Sequence, residues 1–511
     1  MAETLNALLS ERARERGAKT FLYFKDQEVS FLELEELANR TAHELIALGV
    51  RKGDHVGLML PNCPEFLYHF FAVMKAGAVA VPVNGALKTP EVAYILGNAG
   101  AKGLVLGSAF SAAAEALRRE CPGLGWIRTV PEARPKGEVA SALEGRPAGP
   151  PEVRVAPGDR ASLIYTSGTT GFPKGAVLTH RNYLFDVERF ATGIIKEDDR
   201  FLCFLPLFHV NGQVVTTLGP LFMGASMILM ERFTPKEFFS ALARRRATAF
   251  SGVPAVYGVL LNLPESESFA LGSLRFCICG AAPMPVEVFK RFEEKFKAFI
   301  LEGYGLSEGT CVSSVNPVGG ERKIGSIGLP IPGQEMKVVD DQGGDLPPNR
   351  VGEIVIRGEN VMQGYHNNPE ATAEALRGGW LHTGDLAYAD EDGYFFIVGR
   401  KKEMIIRGGE NIYPVEIEEV LYRHPAVAEA AVIGLPDKRW GEEVAAFVVL
   451  REGRTPTPRE LLEHCRASLA DYKCPRRIEL VEGLPKTATG KIQKLKFREA
   501  YLGKAGTTRD P

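Results

Sequence analysis

The stretch Tyr165-Thr-Ser-Gly-Thr-Thr-Gly-Phe-Pro-Lys-Gly175 decides how the chain is read. It holds four Ser/Thr residues, three glycines and one lysine within eleven positions. Glycines let a backbone bend towards a ligand, and the N–H groups of such a loop form an anion-binding concavity. The hydroxyls of Thr166, Ser167, Thr169 and Thr170 offer further hydrogen bonds, and Lys174 adds positive charge. An ordinary turn needs neither the lysine nor hydroxyls interleaved with Gly168 and Gly171. The ligand that suits this composition is a polyphosphate. The stretch is not a Walker loop, which requires Lys-Ser or Lys-Thr directly after its second glycine. Here Phe172 and Pro173 intervene and Gly175 follows the lysine.

Working outward, Ala161-Ser-Leu-Ile reads as a buried strand before the loop, and Ala176-Val-Leu-Thr-His leads into a helix from Arg181. Residues 20–30 read as a hairpin. Phe31 to Leu48 has helical spacing and ends before Gly49. Val56-Gly-Leu-Met-Leu and Val79-Ala-Val-Pro-Val read as strands on either side of a helix from Pro64 to Lys75. This alternation implies an α/β fold of parallel sheets covered by helices. Residues 131–158, rich in Pro, Gly, Ala and Glu, read as a surface connector. Val286, Phe289, Phe292 and Phe296 form a core-facing helical stripe. Residues 335–399 read as β-rich. After Arg400 comes a charged connector, then a small α/β unit with a helix from Pro414, and the tail from Gly503 reads as frayed.

A chain of 511 residues exceeds one compact core. Its 45% hydrophobic and 24% charged content is ordinary for a globular protein. With 61 basic and 63 acidic residues, a net charge of −2 gives no electrostatic case for nucleic acid or an acidic membrane. The start, Met1-Ala-Glu-Thr-Leu, lacks the order of a signal peptide, and the apolar run around Phe70 to Val83 is broken by Lys75. A cytoplasmic protein without a transmembrane segment is expected. Peripheral membrane contact and a homodimer stay open. The eight cysteines have no zinc-finger spacing and read as reduced thiols.

Further motifs follow downstream. They are Phe204-Leu-Pro-Leu-Phe-His209, Gly280-Ala-Ala-Pro283, Tyr304-Gly-Leu-Ser-Glu308, Trp380-Leu-His-Thr-Gly-Asp385, Met404-Ile-Ile-Arg-Gly-Gly-Glu-Asn-Ile-Tyr-Pro414 and Pro485-Lys-Thr-Ala-Thr-Gly-Lys491. In this order, across nearly the whole chain, they resemble the adenylate-forming (ANL) superfamily, and within it the bacterial fatty-acid–CoA ligases. The resemblance implies a large N-terminal adenylation and acyl-binding domain, 1–400, with a β-rich part, and a small mobile α+β domain, 401–511. It implies that Thr166, Ser167, Gly168, Thr169, Thr170, Gly171 and Lys174 hold the phosphates of ATP. It sets Gly280, Ala281, Ala282 and Pro283 against adenine, with Tyr304 and Gly305 nearby and Ser307 at the α-phosphate. Ser307 replaces the usual Thr and keeps the hydroxyl. Glu308, with Thr166, is implied to ligate Mg²⁺, since a hard ion takes carboxylate and phosphate oxygens. Asp385 and Arg400 are implied at the ribose, and Lys491 as the catalytic ammonium between carboxylate and α-phosphate. His209 is implied to border the acyl pocket within the catalytic centre, without an acid/base role. Gly408, Gly409, Trp440, Tyr472 and Arg476 are implied contacts for coenzyme A, and Lys402 is the implied pivot, where many members carry Asp.

The reaction so implied joins a carboxylic acid to ATP as an acyl-adenylate and then to CoA as a thioester. The stretches 204–213, 277–285 and 303–312 contain no Lys or Arg, which argues against a dicarboxylic acid. Phe185, Phe190, Phe208, Val210, Cys311 and Val312 are candidates for an apolar lining. The expected substrate is a medium- to long-chain fatty acid. The alternatives are an aryl acid, or a nucleotide-binding module without catalysis.

Overall fold

Capping and proline chemistry set where the helices begin. Ser30 and Glu33 form a reciprocal capping box at the start of Phe31–Ala47. Pro64 sits in the first turn of Pro64–Lys75, every residue of which is buried. The Lys75 ammonium is compensated there by Glu35 at 2.8 Å. The structure, a computed structural model, describes residues 2–166, 172–263, 271–487 and 490–507, with side chains described as far as residue 503.

Among the described residues the strands form four sheets. The first runs in the order Trp126–Val130, Ala101–Gly107, His55–Met59, Val79–Pro82, Arg160–Thr166, Lys174–Thr179. Its neighbours are parallel except the last pair, which is antiparallel with Thr166 opposite Lys174. The second sheet has nine strands. Its parallel centre holds Ser226–Leu229, Arg200–Cys203, Ala249–Gly252, Phe276–Cys279 and Phe299–Tyr304. The hairpin Thr20–Phe24 and Gln27–Ser30 extends one edge. The third sheet is an antiparallel meander of Glu335–Val339, Gly352–Arg357, Leu381–Ala389 and Phe395–Arg400. The fourth begins at Ile405–Arg407 and is built on the long antiparallel pair Val427–Asp437 and Gly441–Leu450. It keeps a core of its own, with Ile405, Ile417, Leu421, Val432 and Val448 fully or nearly fully buried.

The α/β class read from the sequence is the observed one. Four local differences have physical causes. Lys174–Thr179 is a strand, antiparallel to Arg160–Thr166, before the helix His180–Ala191 begins. Lys136–Ala142, inside the expected connector, is helical and anchored by buried Val139 and by Lys136 against Glu33 at 2.5 Å. Pro369–Ala375 is a helix within the β-rich part, capped by the Asn368 side chain. The tail is helical through Thr507, on the helix whose Phe497 and Tyr501 pack against Phe447. All eight cysteines are free and buried. Among the described residues no helix is long and apolar enough to cross a membrane.

Candidate active site

Parallel strands that end side by side bring their following loops together. Cys279 pairs with Glu302, so the Gly280–Pro283 turn and the Tyr304–Glu308 segment leave the sheet as neighbours. Gly305 is dictated by contact, because a Cβ there would lie 1.4 Å from the Cys311 carbonyl oxygen. That contact folds Cys311 and Val312 back beneath the motif. Asp186, buried in the helix His180–Ala191, accepts the N–H groups of Cys311 (3.2 Å) and Val312 (3.0 Å) and holds this return.

Two cavities open at this junction. One, of about 580 Å³, is walled by Thr166 and Lys174 from the hairpin, by Gly280, Tyr304, Gly305, Ser307 and Glu308, and by His209, Arg400, Lys402 and Lys491. The other, of about 310 Å³, is walled by Ala281, Ala282, Pro283, Tyr304, Gly305, Asp385, Arg400 and Lys491. Lys491 therefore stands on the boundary of both. Ser167, Gly168, Thr169, Thr170 and Gly171 lie outside the described residues.

In the larger cavity, Thr166 Oγ1 and the Tyr365 hydroxyl both donate to Glu308 Oε1, at 3.3 and 2.9 Å. The Lys174 ammonium lies 5.3 Å from the centre of the Tyr365 ring. Among the described residues no group of three or more His, Cys, Asp and Glu is placed to hold a metal. A hard divalent ion fits here on the Glu308 carboxylate, with Thr166 beside it and remaining positions left to phosphate oxygens and water.

In the smaller cavity, Asp385 and Arg400 face each other across the meander. Arg400 Nε donates to Asp385 Oδ1 at 2.7 Å, and the Tyr304 hydroxyl donates to Oδ2 at 2.7 Å. The Asp385 carboxylate raises the Arg400 guanidinium, and burial, then this carboxylate, raises the Tyr304 phenol. The Lys491 ammonium is pushed down by burial and by Arg400, while Asp385 and Glu403 act in the opposite sense. Its loop is pinned by Lys491 N–H on Thr487 Oγ1 at 3.1 Å.

His209 accepts the Asn211 N–H on Nδ1 at 3.4 Å. Burial and then nearby Lys491 push its imidazole down to about 4. It is a neutral wall of the larger cavity at neutral pH. The same cavity also takes apolar lining from Phe190, Val210, Val215, Ile278, Cys311 and Val312. Phe185 and Phe208 do not line this cavity. Phe185 packs instead near Gly333 and Arg189.

Gly408, Gly409, Trp440, Tyr472 and Arg476 line neither cavity. Three of them meet elsewhere on the small domain. Gly408 N–H donates to the Trp440 carbonyl at 2.8 Å, and the Arg407 guanidinium lies 5.1 Å from the Trp440 ring and reaches the Tyr472 carbonyl at 3.5 Å. Arg476 pairs with Asp471 at 3.0 Å. Lys402 is exposed in the turn after Arg400. The residue before it is tied to the large domain, with Lys401 N–H on the Gly384 carbonyl at 2.9 Å and its ammonium on Asp341 at 2.7 Å.

Sequence reading missed Tyr365, Glu353 and Glu302. Glu353 accepts the Gly384 N–H at 3.0 Å and Arg377 at 3.1 Å, under the Thr383-Gly384-Asp385 turn. Glu302 accepts the Met284 N–H at 3.2 Å, beneath the Gly280–Pro283 turn. The one signal for Tyr365 was a lone aromatic after Gly364; a lone glutamate in a strand carried none.

The two cavities adjoin, sharing Tyr304, Gly305, Arg400 and Lys491. Residues 9–366 match the AMP-binding enzyme family and residues 416–491 the AMP-binding enzyme C-terminal domain, so the chain belongs to that family, within the adenylate-forming superfamily. It is 39% identical over 492 residues to a feruloyl-CoA synthase of Amycolatopsis sp, covering 96% of this chain and 97% of that protein. It is 37% identical over 531 residues to a long-chain-fatty-acid–CoA ligase of Bacillus subtilis, covering 97% and 94%. The crystal structure of the anthranilate CoA ligase AuaEII in complex with anthranoyl-AMP superposes with a TM-score of 0.92 at 33% identity, covering 98% of both chains.

Proposed function

We propose that the chain is an AMP-forming acid–CoA ligase that uses ATP. The observation that carries this reading is Lys491, an ammonium from the small domain that walls both cavities next to Arg400; we read the larger as the phosphate side and the smaller as the nucleoside side. A carboxylate oxygen attacks the α-phosphorus, the bond to the bridging oxygen breaks and pyrophosphate leaves. The thiol sulfur of CoA then attacks the acyl carbon, its proton passes to solvent, and AMP departs with the electron pair. Lys491 offsets the charge that gathers between two anions in the first step. Asp385 and Arg400 hold the ribose, the Gly280–Pro283 turn and Tyr304 flank adenine, and Ser307 faces the α-phosphate. Thr166 and Lys174, with residues 167–171, hold the outer phosphates. Mg²⁺ on Glu308 and Thr166 supplies charge neutralisation when bound. The small domain, residues 401–511, turns about Lys402 to bring Gly408, Gly409, Trp440, Tyr472 and Arg476 to CoA.

On this reading the acid is apolar and carries one carboxylate; the apolar lining residues Phe190, Val210, Val215, Ile278, Cys311 and Val312 support it, as does the lack of Lys and Arg in stretches 204–213, 277–285 and 303–312. A medium- to long-chain fatty acid suits that wall, as does the relation to the Bacillus subtilis enzyme. The second reading, an aryl acid, is favoured by the feruloyl-CoA synthase and by the anthranoyl-AMP complex. The enzyme acts in the cytoplasm on this reading. Pyrophosphate release over a panel of fatty and aryl acids, with and without CoA, tests it. No acid-dependent release across the panel would leave a nucleotide-binding module instead.

A further inference from the structure

The geometry points to Tyr365 as the spacer that keeps Glu308 and Lys174 apart and aimed into the same cavity. The inference rests on the proposed reading for the purpose of the two charges, not for their placement.

Tyr365 is rigidly carried. Its segment lies beside the strand Lys174–Thr179, with an Ala176–Tyr365 bridge, Val177 N–H on the Gly364 carbonyl at 3.0 Å and His366 N–H on the Gly175 carbonyl at 2.8 Å. Gly364 has φ +143°, and a Cβ there would lie 2.6 Å from Thr372 Cγ2, so only glycine allows this approach. Thr372 Oγ1 in turn accepts the Tyr365 N–H at 2.8 Å. The phenol donates to Glu308 Oε1 at 2.9 Å while the ring faces the Lys174 ammonium at 5.3 Å. All three side chains wall the larger cavity.

A lysine and a glutamate sharing one cavity attract each other, and a direct pair would cancel both charges. Among the described residues no Lys174–Glu308 ion pair forms; the ammonium rests on the ring and the carboxylate on the hydroxyl. One side chain thus occupies each charge on a different surface. Oε1 of Glu308 is engaged by Thr166 and Tyr365, and Oε2 is left for a cation. The ammonium keeps its N–H groups for phosphate oxygens, because a ring face competes weakly with an anion.

Two variants separate the halves of this role, read by calorimetric titration of ATP with and without Mg²⁺ into the full chain. Tyr365→Phe keeps the ring and loses the donor. It is expected to weaken Mg²⁺-ATP binding about tenfold, the factor a hydrogen bond to a charged acceptor is worth, and to leave metal-free ATP unchanged. Tyr365→Leu loses both surfaces, so metal-free ATP weakens as well, and adding Lys174→Met to it weakens ATP less than Lys174→Met does alone. Unchanged titrations for both variants, or an equal loss with and without Mg²⁺ in Tyr365→Phe, would overturn the assignment. Thermal midpoints within a degree or two of the parent separate this from misfolding. Failure of the ligase reading is distinguishable, since it shows as missing pyrophosphate release while these binding differences stand.

Discussion

Glu302 offers a test in which the structure sets the size of the effect. It lies on the strand Phe299–Tyr304, 3% exposed, directly beneath the turn proposed to meet adenine. Oε1 accepts the Met284 N–H, and Oε2 is buried without a hydrogen-bond partner among the described residues. Burial, opposed by the Met284 N–H and reinforced by Glu419, raises its carboxyl from an ordinary 4.5 to about 8. The folded chain therefore holds a proton that the unfolded chain releases between these values. For an acid shifted upward the stability contribution is present below pH 4.5 and is lost as pH rises through 8. Each pH step in that window removes 1.36 kcal/mol, so the loss is about 3 kcal/mol at pH 7 and about 5 kcal/mol above pH 8. Glu302→Gln keeps an acceptor for Met284 and has no proton to lose. Its unfolding midpoint should match the parent near pH 4.5 and exceed it by a growing margin, several degrees by pH 8.5. The assay is thermal or guanidinium unfolding of both proteins in parallel across pH 4.5–9. Profiles that stay parallel over this range would refute the buried protonated carboxyl.

The other predictions concern turnover. Lys491→Ala should abolish acid-dependent pyrophosphate release, a loss of a hundredfold or more for a group that meets developing charge, while sparing thioester formation from a supplied acyl-adenylate. Equal loss in both half-reactions would sink the two-orientation reading. Glu308→Gln should raise the Mg²⁺ concentration needed for half-maximal rate, and an unchanged Mg²⁺ titration would remove Glu308 from the metal. Lys402→Pro should leave single-turnover adenylation near the parent rate and stop CoA transfer, because proline fixes φ and restricts the residue before it. Lys401 is already bound to Gly384 and Asp341, which supports a pivot one residue later. Normal thioester formation in the proline variant would place the pivot elsewhere.

What was legible in the sequence was whatever a local pattern encodes. Pro64, Pro414 and the Val286–Phe296 stripe marked helices that the structure contains. Glycine-rich motifs marked the loops at strand ends, since close backbone approach leaves few alternatives, as at Gly305. The helix Lys136–Ala142 escaped because about two turns with a single buried residue, Val139, make no periodic signal. Its order comes from Glu33, far away in the chain. Phe185 and Phe208 were expected in the acid pocket from composition alone, whereas the direction each ring takes is fixed by packing. Tyr365, Glu353 and Glu302 were illegible for the same reason. Each works through a partner brought up by the fold, Glu308, Gly384 and Met284 respectively, and a single tyrosine or glutamate carries no spacing to read.

These buried charges also bear on why the small domain should move. Lys491 reaches the cavities only through that domain, and it enters a place where burial and Arg400 both oppose its charge. Across the same interface Glu419, on the helix Pro414–Tyr422, adds to the elevation of Glu302. The orientation described here thus brings a cation to a cation and a carboxyl to a carboxyl. On the proposed reaction an ATP α-phosphate and a substrate carboxylate would compensate Lys491, so this arrangement would be best sustained while both anions are present. In that proposed reaction, once pyrophosphate has left and the acyl-adenylate is neutral at its acyl end, less negative charge faces Lys491. Under the proposed rotation Lys491 leaves Arg400, and the Glu302 carboxyl, which holds its proton at neutral pH, leaves Glu419. On this proposal the departure of pyrophosphate would favour the turn about Lys402 that exchanges Lys491 for Gly408 and Gly409. Because Glu302 loses part of its elevation when Glu419 leaves, its proton should be held less tightly in the CoA-bound state. Proton release on adding CoA to the adenylate complex, measured at pH 7.5 and reduced in Glu302→Gln, would tie the chemistry to the domain motion.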